Sequence, residues 1–153
     1  MNNKRDLKEL ILLHLFEITQ NKIEVFSQAI DSAKESRNND TKSSAGDKYE
    51  TGREMMQIEI DKNTVQLQNS KNLKEELSRI STQKIYTKAE FGSLITTNRG
   101  VYFLAIGIGK IMVHNNPIFV ISNASPIGKL IENKKIGDAF QFQSIEYIIQ
   151  EIA

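Results

Sequence analysis

The sequence predicts an α+β chain in which an N-terminal antiparallel α-helical coiled-coil hairpin precedes a small, mostly β domain. Residues 6–37 contain neither glycine nor proline, which is typical of one long helix. Beyond Ser81 the chain changes to short apolar runs separated by turn sequences. We therefore assign residues 1–81 to the hairpin, with its tip near residues 38–47, and residues 82–153 to the β domain.

The first predicted helix carries an apolar stripe with 4-3 spacing, in which one seam position is the polar Lys22. Its apolar members are Ile11, Leu15, Ile18, Val25 and Ala29. A seam of this period needs a second helix to cover it.

The second predicted helix extends from about Asp47 to Ser81, with Asn63 and Ser70 as polar members of its seam. Its apolar seam residues are Met56, Ile60, Leu67, Leu73, Leu77 and Ile80. Because only a short polar segment separates the two helices, we expect them to run antiparallel.

Short apolar segments after Ser81 predict β-strands at FGSLITT, VYFLAIGI, KIMVH, IFVIS, AFQFQ and EYIIQEI. The segment SPIGKLIEN predicts a brief helix with Ser125 as N-cap and Pro126 at the first helical position. Four aromatic residues in this half could pack in the core or stack on bases, and strand alternation favours the core. They are Tyr86, Tyr102, Phe103 and Phe119.

Composition excludes several classes of function. The chain has 153 residues, a formal charge of +1, two histidines and no cysteine, so we expect neither a global nucleic-acid-binding field nor thiol catalysis. The histidines lack the companions of a metal site or a catalytic triad. The N-terminus has a basic start and an apolar stretch, but Glu9 and Glu17 interrupt the stretch and no small-residue cleavage site follows, so we expect no signal peptide. No apolar run is long enough for us to expect a membrane span. We expect a cytoplasmic monomer without intrinsic cofactors.

Acidic residues near the predicted tip are the candidate functional groups. Asp47, Glu50 and Glu54 fall at helical spacing, and Asp40 lies in the connecting segment. Exposed carboxylates could donate hard oxygen ligands to magnesium, and Asp40 and Asp47 are the candidate metal ligands. The alternative is helix capping, because Ser44 and Asp47 resemble a capping box and acids stabilise a helix N-terminus.

The segment SPIGKLIENKKIGD is similar, without gaps, to the C-terminal signature of the Gre-type bacterial transcription elongation factors. The matching residues, which we take as the candidate polymerase-docking motif, are Ser125, Pro126, Ile127, Gly128, Lys129, Lys134, Gly137 and Asp138. The order and length of the two halves also resemble this family, whose β domain is FKBP-like. Asn133 replaces a glycine that is usual there, and asparagine tolerates the left-handed backbone of such a turn.

The resemblance implies a mechanism. In the family, the globular domain docks at the rim of the RNA polymerase secondary channel, and the hairpin tip enters it. Acidic tip residues then help to hold a magnesium ion of the polymerase for hydrolysis of backtracked RNA. Asp40 resembles the family's tip aspartate, but Ser43, Ser44 and Ala45 stand where a glutamate is usual.

The resemblance thus implies an RNA-polymerase-binding elongation factor that is not itself an enzyme. Its partners would be bacterial RNA polymerase and, indirectly, nascent RNA, with direct DNA contact left open. The missing tip glutamate leaves a second reading, a channel-binding regulator or structural interaction module that does not stimulate cleavage. FKBP-like folds also include prolyl isomerases, but the chain has no tryptophan and no evident ring of aromatic pocket residues.

Overall fold

The computed structural model describes residues 3–39 and 47–153, although the side chains of residues 47–49 are not described. Helix α1 spans Asn3–Asn39 and helix α2 spans Asp47–Ser78. Arg37 of α1 donates a 2.7 Å hydrogen bond to Gln57, and Lys74 donates a 2.8 Å bond to Gln20. Because later residues of α1 meet earlier residues of α2, the two helices are antiparallel, as predicted.

The seam of α1 differs from the predicted one after Leu15. Val25 is 61% exposed and Lys22 is exposed, whereas Thr19, Ile30 and Ala33 are buried. The register was misassigned because Thr19, a polar residue, occupies a seam position. Its hydroxyl donates to the carbonyl oxygen of Phe16 at 3.0 Å, which satisfies the buried group inside its own helix.

The predicted seam of α2 is confirmed, including its polar members. Ile60 and Leu77 are buried, and so are Asn63 and Ser70. The Asn63 amide donates to the Glu59 carbonyl oxygen at 3.0 Å, and the Ser70 hydroxyl donates to that of Gln66 at 2.9 Å. These bonds satisfy the polar groups within α2 without joining it to α1.

Six strands form one sheet in the order β3-β4-β2-β1-β6-β5. Every pairing is antiparallel except that of β2 with β4. The strands are β1 Leu94–Thr97, β2 Gly100–Leu104, β3 Gly109–Val113, β4 Asn116–Ile121, β5 Ala139–Phe142 and β6 Ile145–Ile152. The predicted fold class, a helical hairpin followed by a mostly β domain, is confirmed.

Tight turns join neighbouring antiparallel strands. His114 and Asn115 link β3 to β4 with φ values of 50° and 63°, and Gln143 and Ser144 link β5 to β6 with 51° and 63°. Positive φ at both central residues is the geometry that matches the twist of a two-residue hairpin. His114 is therefore a turn residue.

Both faces of the sheet carry buried residues. One face carries Ile95, Leu104 and Ile149, which cluster with Ile131 of the short helix α3, Pro126–Ile131. Successive strand residues point to opposite faces, so the buried Phe103 belongs to the other face. Helix α3 therefore lies on the first face of the sheet.

The chain divides into two compact units. One comprises Met1–Leu15 together with Glu76–Ala153, and the other comprises Phe16–Glu75. The start of α1 thus belongs to the same unit as the sheet, where Ile11 and Leu15 are fully buried. Neither α1, α2 nor α3, as described, is long and apolar enough to cross a membrane.

Candidate functional site

The predicted acidic tip lies partly beyond the described part of the chain. Asp40 is outside it, and Asp47 is the first residue of α2. Glu50 is exposed and lines a shallow hollow of about 270 Å³ together with Arg53, Glu54 and Gln57. Two carboxylates and one guanidinium thus share a surface on the first turns of α2. Their chemistry suits binding of a cation by carboxylate oxygens, and it also suits ion pairing between the side chains.

A series of hydrogen bonds between side chains links α1 to α2 next to this hollow. Gln57 accepts from Arg37 at 2.7 Å and donates to Asp61 at 3.0 Å. Because Arg37 is on α1 and Gln57 on α2, this contact fixes the two helices against each other near their described ends. Glu54 and Glu50 follow about one and two turns from Gln57 toward the start of α2.

The candidate docking motif begins as a capped helix, as predicted. The Ser125 hydroxyl accepts from the Gly128 N–H at 3.0 Å and donates to the Ser122 carbonyl oxygen at 2.7 Å. Pro126 occupies the first helical position. Gly128 is buried, and a Cβ at this residue would lie 2.1 Å from the Ser122 carbonyl oxygen. The motif therefore needs glycine here because backbone approaches backbone.

The second half of the motif is a loop held by main-chain hydrogen bonds. Asn133 has φ 68°, which confirms the predicted left-handed turn, and its N–H donates to the Ala89 carbonyl oxygen at 2.7 Å. The Ala89 N–H returns a bond to the Lys134 carbonyl oxygen at 2.8 Å. Gly137 has φ 92°, and its N–H donates to the Ile149 carbonyl oxygen at 2.8 Å.

Asp138 closes this loop. Its carboxylate accepts from the Lys135 N–H at 2.8 Å, and its carbonyl oxygen accepts from the Ile149 N–H at 2.9 Å. Ile127 packs against the core cluster. Five of the eight motif residues therefore hold the conformation of the segment through hydrogen bonds or packing, namely Ser125, Ile127, Gly128, Gly137 and Asp138.

The surface of the motif is a cation beside apolar side chains. Lys129 is exposed, Leu130 is 38% exposed, and Ile136 is 62% exposed. We call Lys129, Leu130 and Ile136 the motif surface. The exposure of Leu130 and Ile136 could not be predicted from the sequence, because a single apolar residue in a short helix or loop gives no periodic signal.

Aromatic residues of the β domain pack inside it. Tyr102 stacks on Phe119 with ring centroids 5.2 Å apart and meets Tyr147 edge-on at 6.2 Å. Burial, aided by the hydrogen bond with Tyr147, raises the pKa of Tyr102 to about 12, so this phenol stays neutral at physiological pH. Tyr86, Tyr102 and Phe103 are buried, which agrees with the core role that strand alternation favoured.

A buried lysine lies outside every predicted site. Lys8 of α1 is 2% exposed, its ammonium donates to the Ala153 main-chain oxygen at 3.1 Å, and it lies 4.1 Å from the centre of the Tyr86 ring. Burial and then the nearby charge of Lys84 lower its pKa from 10.5 to about 8. No local pattern marks Lys8, because it resembles any polar helix residue until distant segments cover it.

Carboxylates and histidines are dispersed elsewhere. Within residues 3–39 and 47–153, no group of three or more such side chains is arranged to hold a metal ion. Magnesium binding by Asp40 and Asp47 stays a prediction, since neither side chain is described.

Comparison with known proteins gives a distant likeness. No protein-family model and no curated protein match the chain. A solved structure described as "Structure of the transcription factor Gfh1" is similar with 17% identity, over 90% of this chain and 92% of that chain, at a TM-score of 0.35. At this level the likeness is one of fold alone.

Proposed function

We propose that this protein binds bacterial RNA polymerase during transcript elongation. Its β domain docks at the rim of the secondary channel, and its helical hairpin enters the channel. The observation that carries this proposal is the ungapped Ser125–Asp138 motif, which has the capped helix and left-handed turn expected of it. The protein acts by binding and is not an enzyme.

The motif's construction supports a docking role for its exposed residues. Ser125, Gly128 and Asp138 form hydrogen bonds within the segment. These bonds hold the backbone of α3 and of the following loop in place. This leaves the motif surface, Lys129, Leu130 and Ile136, facing solvent. A cation flanked by apolar side chains suits a partner surface that offers acidic residues around an apolar patch.

The hairpin supports insertion into a narrow space. Within its own compact unit, the α1 segment from Phe16 to Asn39 extends about 36 Å at roughly 1.5 Å per residue. The Arg37–Gln57 bond braces the described end of this unit. A braced pair of helices can carry side chains at its end into a channel that a globular domain cannot enter.

Carboxylates at the tip are proposed to assist RNA cleavage by the polymerase. Asp40 and Asp47 are the proposed ligands, and Glu50 is a third acidic group on an exposed face of α2. Magnesium, when bound, would activate water and stabilise charge on the scissile phosphate. The chain's own contribution is to hold carboxylate oxygens at one place. The alternative is a non-cleaving channel regulator, favoured by Ser43, Ser44 and Ala45 where the resembled family has glutamate.

Binding is tested by interferometry of the full chain on immobilised bacterial core polymerase. We expect Lys129→Glu to weaken binding at least about tenfold, or about 1.4 kcal/mol. Lys110→Glu is the matched control, because Lys110 is an exposed lysine on β3 at the opposite edge of the sheet. Equal effects of the two variants, or no binding by the wild type, would contradict the docking assignment.

Cleavage is tested by following RNA shortening in backtracked complexes. If the tip carboxylates assist catalysis, Asp40→Asn and Asp47→Asn each lower the cleavage rate about tenfold or more while polymerase binding is retained. If they only cap α2, Asp40→Asn changes little, because asparagine is as good an N-cap as aspartate. Wild-type protein that binds without shortening RNA would establish the non-cleaving regulator.

A further inference from the structure

The cleft beside Lys8 has a charge distribution that the proposed function does not use. It measures about 340 Å³ and belongs entirely to the unit that contains the sheet. Its charged and aromatic lining residues are Lys4, Arg5, Lys8, Lys84, Tyr86 and Glu151. Four cations thus face one carboxylate across a space large enough for a small ligand.

The cations are graded from rim to floor. At the rim, the side chains of Lys4 and Lys84 are 34% and 53% exposed. Lys8 lies at the floor, since only 2% of it is exposed. Gly92 makes room for the Tyr86 ring that covers Lys8, because a Cβ there would lie 2.6 Å from the Tyr86 hydroxyl oxygen. The floor is therefore built by specific packing.

Each rim cation has a carboxylate partner but keeps further N–H donors that this partner does not use. Lys4 meets Glu151 at 3.5 Å and Thr96 at 3.3 Å, and Lys84 meets Glu90 at 2.8 Å. Arg5 pairs with Glu9 at 3.5 Å through one of its five N–H groups. Exposed pairs of this kind are weak, so these side chains can turn toward a more highly charged anion.

The floor lysine is the strongest indication of a missing anion. Its ammonium has three N–H donors, of which one is bonded to the Ala153 main-chain oxygen. No carboxylate side chain of the described residues forms an ion pair with it. Burial, and then the like charge of Lys84, lower the pKa of Lys8, so an anion beside its ammonium would stabilise the protonated form.

We propose that this cleft binds a small, multiply charged phosphate anion, with the Lys8 ammonium at its floor and Lys4, Arg5 and Lys84 around its rim. A diphosphate has enough charge to match several cations, and its tetrahedral groups accept from point-charge ammonium donors. The Tyr86 face and the exposed Ile85 add an apolar wall for an organic group attached to the phosphate.

Calorimetric titration of the full chain with inorganic pyrophosphate at pH 7 tests the proposal. We expect a Kd of about 1 mM or tighter at low salt, weakened at least about tenfold by Lys8→Met. The matched control is Lys110→Met, which removes a lysine far along the chain from the cleft and leaves the affinity within about twofold. Circular dichroism establishes that both variants are folded. Equal affinity of Lys8→Met and wild type would overturn the proposal even if the variant were fully stable.

A second arm uses sulfate, a tetrahedral dianion that does not titrate near neutrality. Its binding should weaken between pH 7 and 9.5, because burial and then the charge of Lys84 lower the pKa of Lys8 to about 8, so the floor ammonium loses its proton in this range. The pKa of Lys84 is raised, chiefly by its hydrogen bond with Glu90, so Lys84 does not account for the change. A flat profile would exclude Lys8 as the floor donor.

Two further outcomes would also overturn the proposal. No binding of pyrophosphate by the wild type would mean that Glu151 and the Ala153 main-chain oxygen already satisfy the cations. Binding of a single-stranded oligonucleotide without competition from pyrophosphate would identify an extended nucleic-acid surface in place of a small-anion cleft. Neither outcome depends on polymerase, so failure here leaves the proposed function intact.

Discussion

Replacing Gly128 by alanine should destabilise the β domain more than any other glycine-to-alanine change in the motif's neighbourhood. The added Cβ would lie 2.1 Å from the Ser122 carbonyl oxygen and 2.7 Å from the Ser125 hydroxyl oxygen. The first of these neighbours is backbone, so it cannot move aside by a rotamer change. Relief of both contacts requires a shift of α3 and loss of the Ser125 cap.

The magnitude follows from these two contacts. Overpacking of a closed site costs about 1–3 kcal/mol, and loss of a serine N-cap costs about 1 kcal/mol. Together they predict a loss of about 2–4 kcal/mol. For a chain of this length each kcal/mol lowers Tm by about 2–4 °C, so the expected decrease is about 4–16 °C.

Thermal unfolding monitored by near-ultraviolet circular dichroism is the assay, because three of the four tyrosines lie in the unit that contains the sheet. Gly107→Ala is the matched control. A Cβ at Gly107 meets no atom within 4 Å, so its Tm should stay within about 2 °C of the wild type. A Gly128→Ala Tm equal to that of Gly107→Ala would refute the steric argument.

Three other changes probe separate features. Lys8→Met should raise the free energy of unfolding by about 1–3 kcal/mol at pH 7, measured by urea denaturation. This difference in stability between variant and wild type should disappear as pH rises from about 8 to about 10.5. In that window the folded wild type has released the Lys8 proton, whereas the unfolded chain still holds it. The wild type therefore becomes more stable as pH rises. Asn63→Leu should raise hairpin stability by about 1–2 kcal/mol, whereas Asn72→Leu, at an exposed position of α2, should change it by less than about 0.5 kcal/mol in thermal melts. Gln57→Leu should lower hairpin stability by about 1 kcal/mol through loss of the Arg37 bond, and unchanged amide-exchange rates in α2 would contradict this.

Local signals predicted the short helix and its flanks accurately. Ser125 is the N-cap of α3, as its hydroxyl group favours, and Pro126 is at the first helical position, as its fixed φ favours. Asn133 adopts the left-handed turn that its side chain tolerates. Each of these outcomes depends on residues within a few positions along the chain. Short-range chemistry is therefore what the sequence predicts best.

Long-range features were predicted less well. The α1 seam was misassigned after Leu15, because Thr19 satisfies its hydroxyl within the helix and so occupies a seam position at little cost. The cleft at Lys8 could not be predicted, since its covering groups, Tyr86 and Ala153, follow 78 and 145 residues later. Burial of this kind is decided by tertiary packing, on which local periodicity carries no information.

The position of β6 next to β1 has a consequence for synthesis of the chain. In the sheet, β1 pairs on one side with β2, which follows after a two-residue turn, and on the other side with β6, about 50 residues later. A nascent chain that has not reached Ile152 therefore exposes an unpaired apolar edge, Leu94–Thr97, and loop closure over such a distance is slow. Until β6 has been synthesised and has paired, the edge is a template for pairing with other chains, so protection from aggregation matters most in that period.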